Sequence, residues 1–281
     1  MARLPRREML RVGATASAGV LASLVSPISR AARAAAAKPF TLGIQLYSLR
    51  GYPVEQALAH AKALGFEAVE FYSGMLPVNA SAEQIAAVRK QVADLGLTIS
   101  AHGVNAFGGD AAANRKVFEF AKAAGVRIIT CDPAPESFTS LDDLVKEFDV
   151  RLAIHNHGPT HRYNKAIDVL RAIEGRDERI GACADLGHFI RSGENPVEVI
   201  RLLAGRLYGI HLKDFAEMKD KTKGVILGKG HLDVPAVFAA LERAKFPADG
   251  AVSLEYEENP KNPIDEIREC AEVARAAMKA T

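Results

Sequence analysis

The chain is short of features that would divide it, tether it or staple it. After Pro39 there is no Pro/Ser run and no low-complexity stretch, so nothing marks a linker, although two small domains would fit the length. Three cysteines, Cys131, Cys183 and Cys270, are an odd number at wide spacing. Cys131 and Cys183 lie in apolar runs, so buried free thiols are expected, with one disulfide permitted but not demanded. Gly228-Lys229-Gly230 is a lone, short glycine motif and does not read as a phosphate grip. The stretch from Val12 to about Ile28 is rich in Ala, Gly and Ser. It falls short of the roughly 20 strongly apolar residues of a membrane span, so no stable membrane anchor is expected.

The N-terminus carries its own punctuation. Arg6 and Arg7 stand just ahead of that apolar stretch, and Ala32-Arg33-Ala34 offers a small-x-small cleavage site. The arginine pair resembles a twin-arginine export signal. Residues 1–34 are therefore expected to be a cleaved signal peptide, with the Tat export machinery as partner and a periplasmic or exported mature protein of residues 35–281. A disordered or uncleaved amphipathic N-terminus is the plainer alternative. Twin-arginine export carries folded proteins, often with a cofactor in place, and so hints at one here. The whole chain has 36 Lys+Arg against 34 Asp+Glu, a formal charge of +2. Six arginines and one glutamate belong to residues 1–34, which leaves about −3 on the remaining 247 residues. A mildly acidic mature chain has no global electrostatic reason to bind nucleic acid.

Those 247 residues match the roughly 250 of one TIM barrel. From Thr41 onward, short apolar runs alternate with helical periodicity. Strands are expected at Thr41–Leu49, Ala68–Tyr72, Thr98–Val104, Arg127–Asp132, Arg151–His157, Ile180–His188, Leu207–Asp214 and Ala251–Glu257, as apolar as strands buried on both faces should be. Helices are expected at Val54–Leu64, Ala82–Leu95, Ala111–Ala124, Leu141–Phe148, Ala166–Glu174, Pro196–Ala204, Pro235–Ala244 and Ile264–Met278. Eight strands, each followed by a helix, predict a single closed (β/α)8 barrel of the α/β class, with a doubly wound open sheet as the rival. The fourth helix, barely two turns, is the thinnest of these elements.

In such a barrel the active site lies at the C-terminal ends of the strands. Polar residues fall there repeatedly: Glu70, His102, His155-Asn156-His157, Asp185 and His188, His211, Lys213-Asp214, Glu255 and Glu257. A lone histidine at a strand end is more often hydrogen-bonded structure than a ligand, and Asp214 or Glu257 can be simply solvated or paired. Clustering at one end of at least five strands is different, because charges in buried strands need partners and a shared metal supplies one. Asp185, His211 and Glu255 mix oxygen and nitrogen donors, which suits Mn, Zn, Co or Mg. Strand alternation puts His155 and His157 on one face opposite Asn156, His211 and Lys213 on one face opposite Asp214, and Glu255 with Glu257.

Seven motifs in order resemble the xylose-isomerase-like TIM barrels, commonly called sugar phosphate isomerases/epimerases. They are Gly43–Arg50 (GIQLYSLR), Val69–Phe71, Ile154–Pro159 (IHNHGP), Asp185–His188 (DLGH), His211–Asp214 (HLKD), Gly228–Asp233 (GKGHLD) and Leu254–Glu257 (LEYE). In ketose 3-epimerases of that group a divalent metal is held by acidic residues on the fifth, sixth and eighth strands and a histidine on the seventh. The resemblance thus implies one divalent ion on His155, Asp185, His211 and Glu255. His188 matches a substrate-binding histidine, and Glu70, His102 and His157 are assigned with it. Glu255 is assigned as the base, with His155 and Lys213 as further catalytic candidates. The epimerases use two facing carboxylates, whereas the fifth-strand position here is His155, which puts two-base epimerisation in doubt. Many relatives are dimers, so a homodimer is open.

The expected function is a divalent-metal-dependent isomerase or epimerase that removes a proton next to the carbonyl of a sugar or keto-sugar. Two alternatives stay open: a lyase performing β-elimination on 3-keto-glycosides, and a non-catalytic sugar-binding barrel. Apurinic endonucleases share the fold, but export and the acidic mature charge argue against a nuclease.

Overall fold

The computed structural model describes residues 40–280; the expected signal peptide lies outside the described residues. Eight parallel strands close into a barrel in the order β1-β10-β7-β6-β5-β4-β3-β2. The strands are β1 (Leu42–Gln45), β2 (Ala68–Phe71), β3 (Thr98–Phe107), β4 (Ile128–Pro133), β5 (Arg151–His155), β6 (Ile180–Asp185), β7 (Leu207–Leu212) and β10 (Ala251–Leu254). A two-stranded antiparallel ribbon, β8 (Asp214–Phe215) with β9 (Gly224–Val225), stands apart from the barrel sheet. Nine helices are described: α1 (Val54–Ala63), α2 (Ala82–Asp94), α3 (Ala111–Ala124), α4 (Phe138–Phe148), α5 (Ala166–Ile173), α6 (Leu186–Arg191), α7 (Pro196–Leu202), α8 (Val234–Arg243) and α9 (Ile264–Ala280). The closed parallel barrel is thus the expected fold, and the doubly wound sheet is excluded. Among the described residues no helix is long and apolar enough to cross a membrane.

Local chemistry sets the element ends. Ser81 and Gln84 form a capping box at the start of α2, and the Asp110 carboxylate accepts from two backbone N–H groups of α3, each cap contributing about 1 kcal/mol. Gly125 ends α3 at φ 73°, in the left-handed region where a side chain would be strained. The fourth helix is longer than expected: a 3-10 turn at Pro135–Ser137 leads into α4 at Phe138, whose side chain packs in the core. Six expected strands stop early, among them β1, β5, β6 and β10, the last ending at Leu254 rather than Glu257. β1 gives way after Gln45 to a 3-10 turn, Leu46–Leu49, in which the Gln45 side chain accepts from Tyr47 N–H. β5 ends at His155 rather than His157. β6 ends at Asp185 because its carboxylate caps α6 by accepting from His188 N–H at 2.8 Å. These breaks aim the strand-end side chains into one cavity.

Within the barrel the strands approach closely where side chains are small. A Cβ on Gly209 of β7 would sit 2.8 Å from the Cys183 sulfur of β6, so only glycine fits there. At the N-terminal end of the strands a cavity of about 300 Å3 is walled by Arg127, Arg151, Arg179, Asp149, Glu178 and Asp249. Its charges largely pair off, with Arg151–Asp249 at 2.8 Å and Arg179–Asp149 at 3.1 Å. The chemistry lies at the other end.

Candidate metal centre and active site

A cavity of about 410 Å3 opens at the C-terminal ends of the strands, with His155, His157, His188, His211, Lys213, Glu255 and Glu257 in its walls. The alternation expected along the strands is visible here. Asn156 and Asp214, on the opposite faces, serve structure instead. Asn156 locks the backbone of Asp185, accepting from its N–H at 2.8 Å and donating to its carbonyl at 3.0 Å. Asp214 accepts from the backbone N–H groups of Phe215, Gly228, Gly230, His231 and Leu232 at 2.8–3.0 Å, so the glycine motif wraps the chain's own carboxylate.

At the floor of the cavity, His155, Asp185, His211 and Glu255 each offer one donor atom, and the four atoms lie within 4.8 Å of one another. All four residues are buried. His155 Nε2 is 3.1 Å from His211 Nδ1 and 3.6 Å from Asp185 Oδ2. His211 Nδ1 is 3.8 Å from Asp185 Oδ2 and 3.0 Å from Glu255 Oε2. A tetrahedral ion about 2.0–2.1 Å from each ligand places its donors roughly 3.3 Å apart, so these spacings bracket the requirement. With Asp185 Oδ1 committed to the helix cap, the buried Oδ2 is left to the ion pair with Lys213 Nζ at 3.0 Å and to the space between the histidines, free of any backbone partner. The two-nitrogen, two-oxygen donor set suits the borderline divalent ions.

Charge balance points the same way. Lys213 Nζ lies 3.0 Å from Asp185 Oδ2, 2.9 Å from Glu255 Oε2 and 2.5 Å from Glu257 Oε1. With Glu70 below, four carboxylates outnumber the Lys213 ammonium even when His211 is counted as a cation, an excess that a bound cation would offset. Burial pushes the Asp185 carboxyl up, but His188, Lys213, His155 and His211 outweigh it and hold the group well below the usual range. Burial likewise opposes ionisation of Glu255, and Lys213 with His211 reverses it to a lowered value. His157 and His188 are each pushed down to about 3, chiefly by burial. Both are therefore neutral at physiological pH, able to donate from one nitrogen and accept at the other.

Two residues assigned to substrate do not reach the cavity. His102 is 1 % exposed. Its Nε2 donates to the Leu76 carbonyl at 2.9 Å, its Nδ1 accepts from Asn105 at 3.1 Å, and its ring packs on Phe120. Both nitrogens are spent, which corrects the expectation of a substrate contact. Glu70 is wholly buried beneath the cluster, held by Thr130, Ser253 and His211; it supports a candidate ligand rather than touching substrate. Sequence reasoning also passed over the mouth. Tyr47 and Tyr72 line it, edge to face with centroids 5.3 Å apart, and the Arg50 guanidinium lies 4.4 Å over Tyr47. Tyr72 directly follows β2 and Tyr47 lies two residues past the end of β1, positions that are the one signal that could have flagged them.

The profile of the xylose isomerase-like TIM barrel family matches residues 58–277. The chain belongs to that family. An uncharacterised protein from Parabacteroides distasonis has a solved structure 30 % identical to it, with a TM-score of 0.67, covering 85 % of this chain and 99 % of the other. The 3-keto-D-glucoside 4-epimerase of E. coli superposes with a TM-score of 0.67 over 84 % of this chain and 99 % of its own at 16 % identity, a likeness of fold. An inosose dehydratase from Clostridium botulinum (strain Eklund 17B / Type B) is 27 % identical over 143 residues, 44 % of this chain and 47 % of the relative. The chain thus spans about half the length of the curated relatives it matches. Its neighbours thus include an epimerase by fold and a dehydratase by partial sequence similarity.

Proposed function

We propose that the protein is a divalent-metal-dependent enzyme that removes a proton next to the carbonyl of a sugar or keto-sugar, as an isomerase or epimerase. The convergence of His155 Nε2, Asp185 Oδ2, His211 Nδ1 and Glu255 Oε2 on the cavity floor carries this reading. When bound there, the ion would polarise the substrate carbonyl and acidify the adjacent C–H. Glu255, held ionised, accepts the proton. Lys213, gripped by Glu257 at the rim, presents an ammonium to substrate oxygen. His157 and His188, both neutral, take hydroxyl groups, and the tyrosines at the mouth offer ring faces to the sugar.

A second reading rests on a specific feature: the fifth-strand position carries His155, so the carboxylate that would face Glu255 in a two-base epimerisation is absent there. In a β-elimination the C–H proton passes to Glu255, the electron pair forms C=C, the C–O bond breaks, and the departing oxygen takes a proton from Lys213. The half-length similarity to an inosose dehydratase supports that class, with a 3-keto-glycoside as the substrate type.

The test is incubation with keto-sugars and 3-keto-glycosides in D2O after loading with Mn, Co or Zn. Deuterium entering the carbon next to the carbonyl, lost in Asp185→Ala/His211→Ala, is the expected result. Tight sugar binding with neither exchange nor turnover would leave a sugar-binding barrel instead. Residues 1–34 belong to the same proposal as a Tat signal for a periplasmic site of action. Changing Arg6 and Arg7 to lysine should then retain the protein in the cytoplasm, and unchanged export on fractionation would remove that part.

A further inference from the structure

Glu70 sits where a carboxylate is costly. It is fully buried on β2, below the floor of the cavity, and such a charge survives only with full pairing. Its partners come from three other strands. Oε1 accepts from the Thr130 hydroxyl of β4 at 2.7 Å, and Oε2 accepts from the Ser253 hydroxyl of β10 at 2.6 Å. His211 of β7 completes the set, its Nε2 3.0 Å from Oε2. The two hydroxyls fix the carboxylate, and the carboxylate fixes the ring.

The consequence is a choice of tautomer. An ionised carboxylate only accepts, so His211 Nε2 must carry hydrogen and donate. The other nitrogen, Nδ1, then faces the space shared with His155, Asp185 and Glu255, where a cation that displaces its proton meets the lone pair. We propose that Glu70 is a positioning residue for a divalent cation, holding His211 in the Nε2–H tautomer and in the rotation that aims Nδ1 into the cluster. The inference rests on the metal-dependent reading above. It gives a buried charge with no path to substrate a definite task, and carboxylate–histidine–metal relays of this kind govern ligand basicity as well as orientation.

The test uses metal-stripped wild type, Glu70→Ala and the isosteric Glu70→Gln, each checked for fold by circular dichroism. Zn2+ affinity is measured by competition with a chromogenic chelator. Glu70→Ala should bind about 10- to 100-fold more weakly, and Glu70→Gln at least several-fold more weakly, at the lower end of the loss usual for such outer partners. If the alanine variant does not fold, the glutamine variant decides. In the Co2+-substituted protein, the wild type should show a paramagnetically shifted, exchangeable imidazole N–H signal that the Glu70 variants lose to exchange with water. A purely structural carboxylate would lower the melting temperature and leave both readouts unchanged. Affinities within twofold of wild type, or a retained N–H signal in the alanine variant, would overturn the proposal. A wild type that takes up no Zn2+ or Co2+ would instead bring down the metal-dependent reading, and this inference with it.

Discussion

Lys213 Nζ lies 3.0 Å from Asp185 Oδ2, closer than any histidine comes to that oxygen. Lys213 as a residue is 4 % exposed, and its ammonium also touches Glu255 Oε2 at 2.9 Å. It therefore grips the same two oxygens that would hold an ion. Burial would lower the lysine, but Asp185, Glu255 and Glu257 raise it well above its ordinary value, so the resting protein holds it as the ammonium. Lys213 is both a neutraliser of the carboxylates and a competitor for them.

Replacing Lys213 with methionine separates those roles. At an effective dielectric near 20, a unit charge about 4 Å away is worth about 4 kcal/mol per opposing charge, reduced by relaxation and water. Removing it should tighten Zn2+ binding by roughly tenfold or more while reducing turnover by about 10²-fold, the lower bound for a lost proton donor. Chelator competition and steady-state rates check the pair. Weaker metal binding in Lys213→Met would mean that the lysine organises the carboxylates rather than competing for them.

Metal uptake should also move protons, with a sign fixed by His211. Burial alone would lower this imidazole, but the carboxylates of Glu70, Glu255 and Asp185 hold it well above 6.5. In stripped protein that shift favours the protonated ring, and its stabilising contribution is complete below 6.5 and fades as pH rises through the raised value. An ion needs the Nδ1 lone pair, so binding expels about one proton, and affinity climbs about tenfold per pH unit between 6.5 and the raised pKa. Calorimetric titration of Zn2+ at pH 7.5, in buffers of differing protonation heat, counts that proton. A count of zero would show that His211 is already neutral before the ion arrives.

The sequence carried the barrel more plainly than the site. Apolar runs such as Ile180–Cys183 and Leu207–Leu212 identify strands because both faces are buried. Their ends were overshot where alternation runs on into a loop, as at His157 and Glu257, or where one carboxylate caps the next helix, as at Asp185. The pairing of His211 with Lys213 in one cavity followed from the period of two. The depth of a residue did not: Glu70 and His102 also belong to inward-reaching strands, but their partners, Ser253 and Leu76, are distant in sequence or in another element. No periodicity distinguishes a carboxylate that lines a cavity from one a layer beneath it. Tyr47 and Tyr72 are neither carboxylates nor imidazoles, so a search for charged and metal-ligating strand ends passes over them.

The cysteines should behave as inert fillers. Cys131, Cys183 and Cys270 are free and buried, and burial pushes all three thiols up, Cys270 to about 11. The thiolate is the reactive form, so native protein should give no product with Ellman's reagent within minutes, and all three thiols should titrate once guanidinium unfolds it. A count of one after unfolding without reductant would reveal a disulfide, and with it a fold in which two of these sulfurs meet.

Asp214 offers the sharpest stability test away from the proposed chemistry. Its carboxylate is buried and gathers five backbone N–H groups, from Phe215 and from the Gly228–Leu232 turn. Asparagine has nearly the same shape but replaces one oxygen by a donor, which would face Gly228 N–H and Gly230 N–H or else His231 N–H and Leu232 N–H. Hydrogen bonds to a charged acceptor are each worth about 1.5–3 kcal/mol, and part of that loss is recovered by water reaching the turn. Asp214→Asn should therefore destabilise the protein by about 2–4 kcal/mol in urea unfolding and raise proteolysis within 226–233. Zn2+ affinity should change little, because Asp214 points away from the cavity that His211 and Lys213 face. A large loss of Zn2+ affinity with unchanged unfolding would mean that the turn couples to the metal ligands through Lys213, and that the two faces of this strand end are not independent.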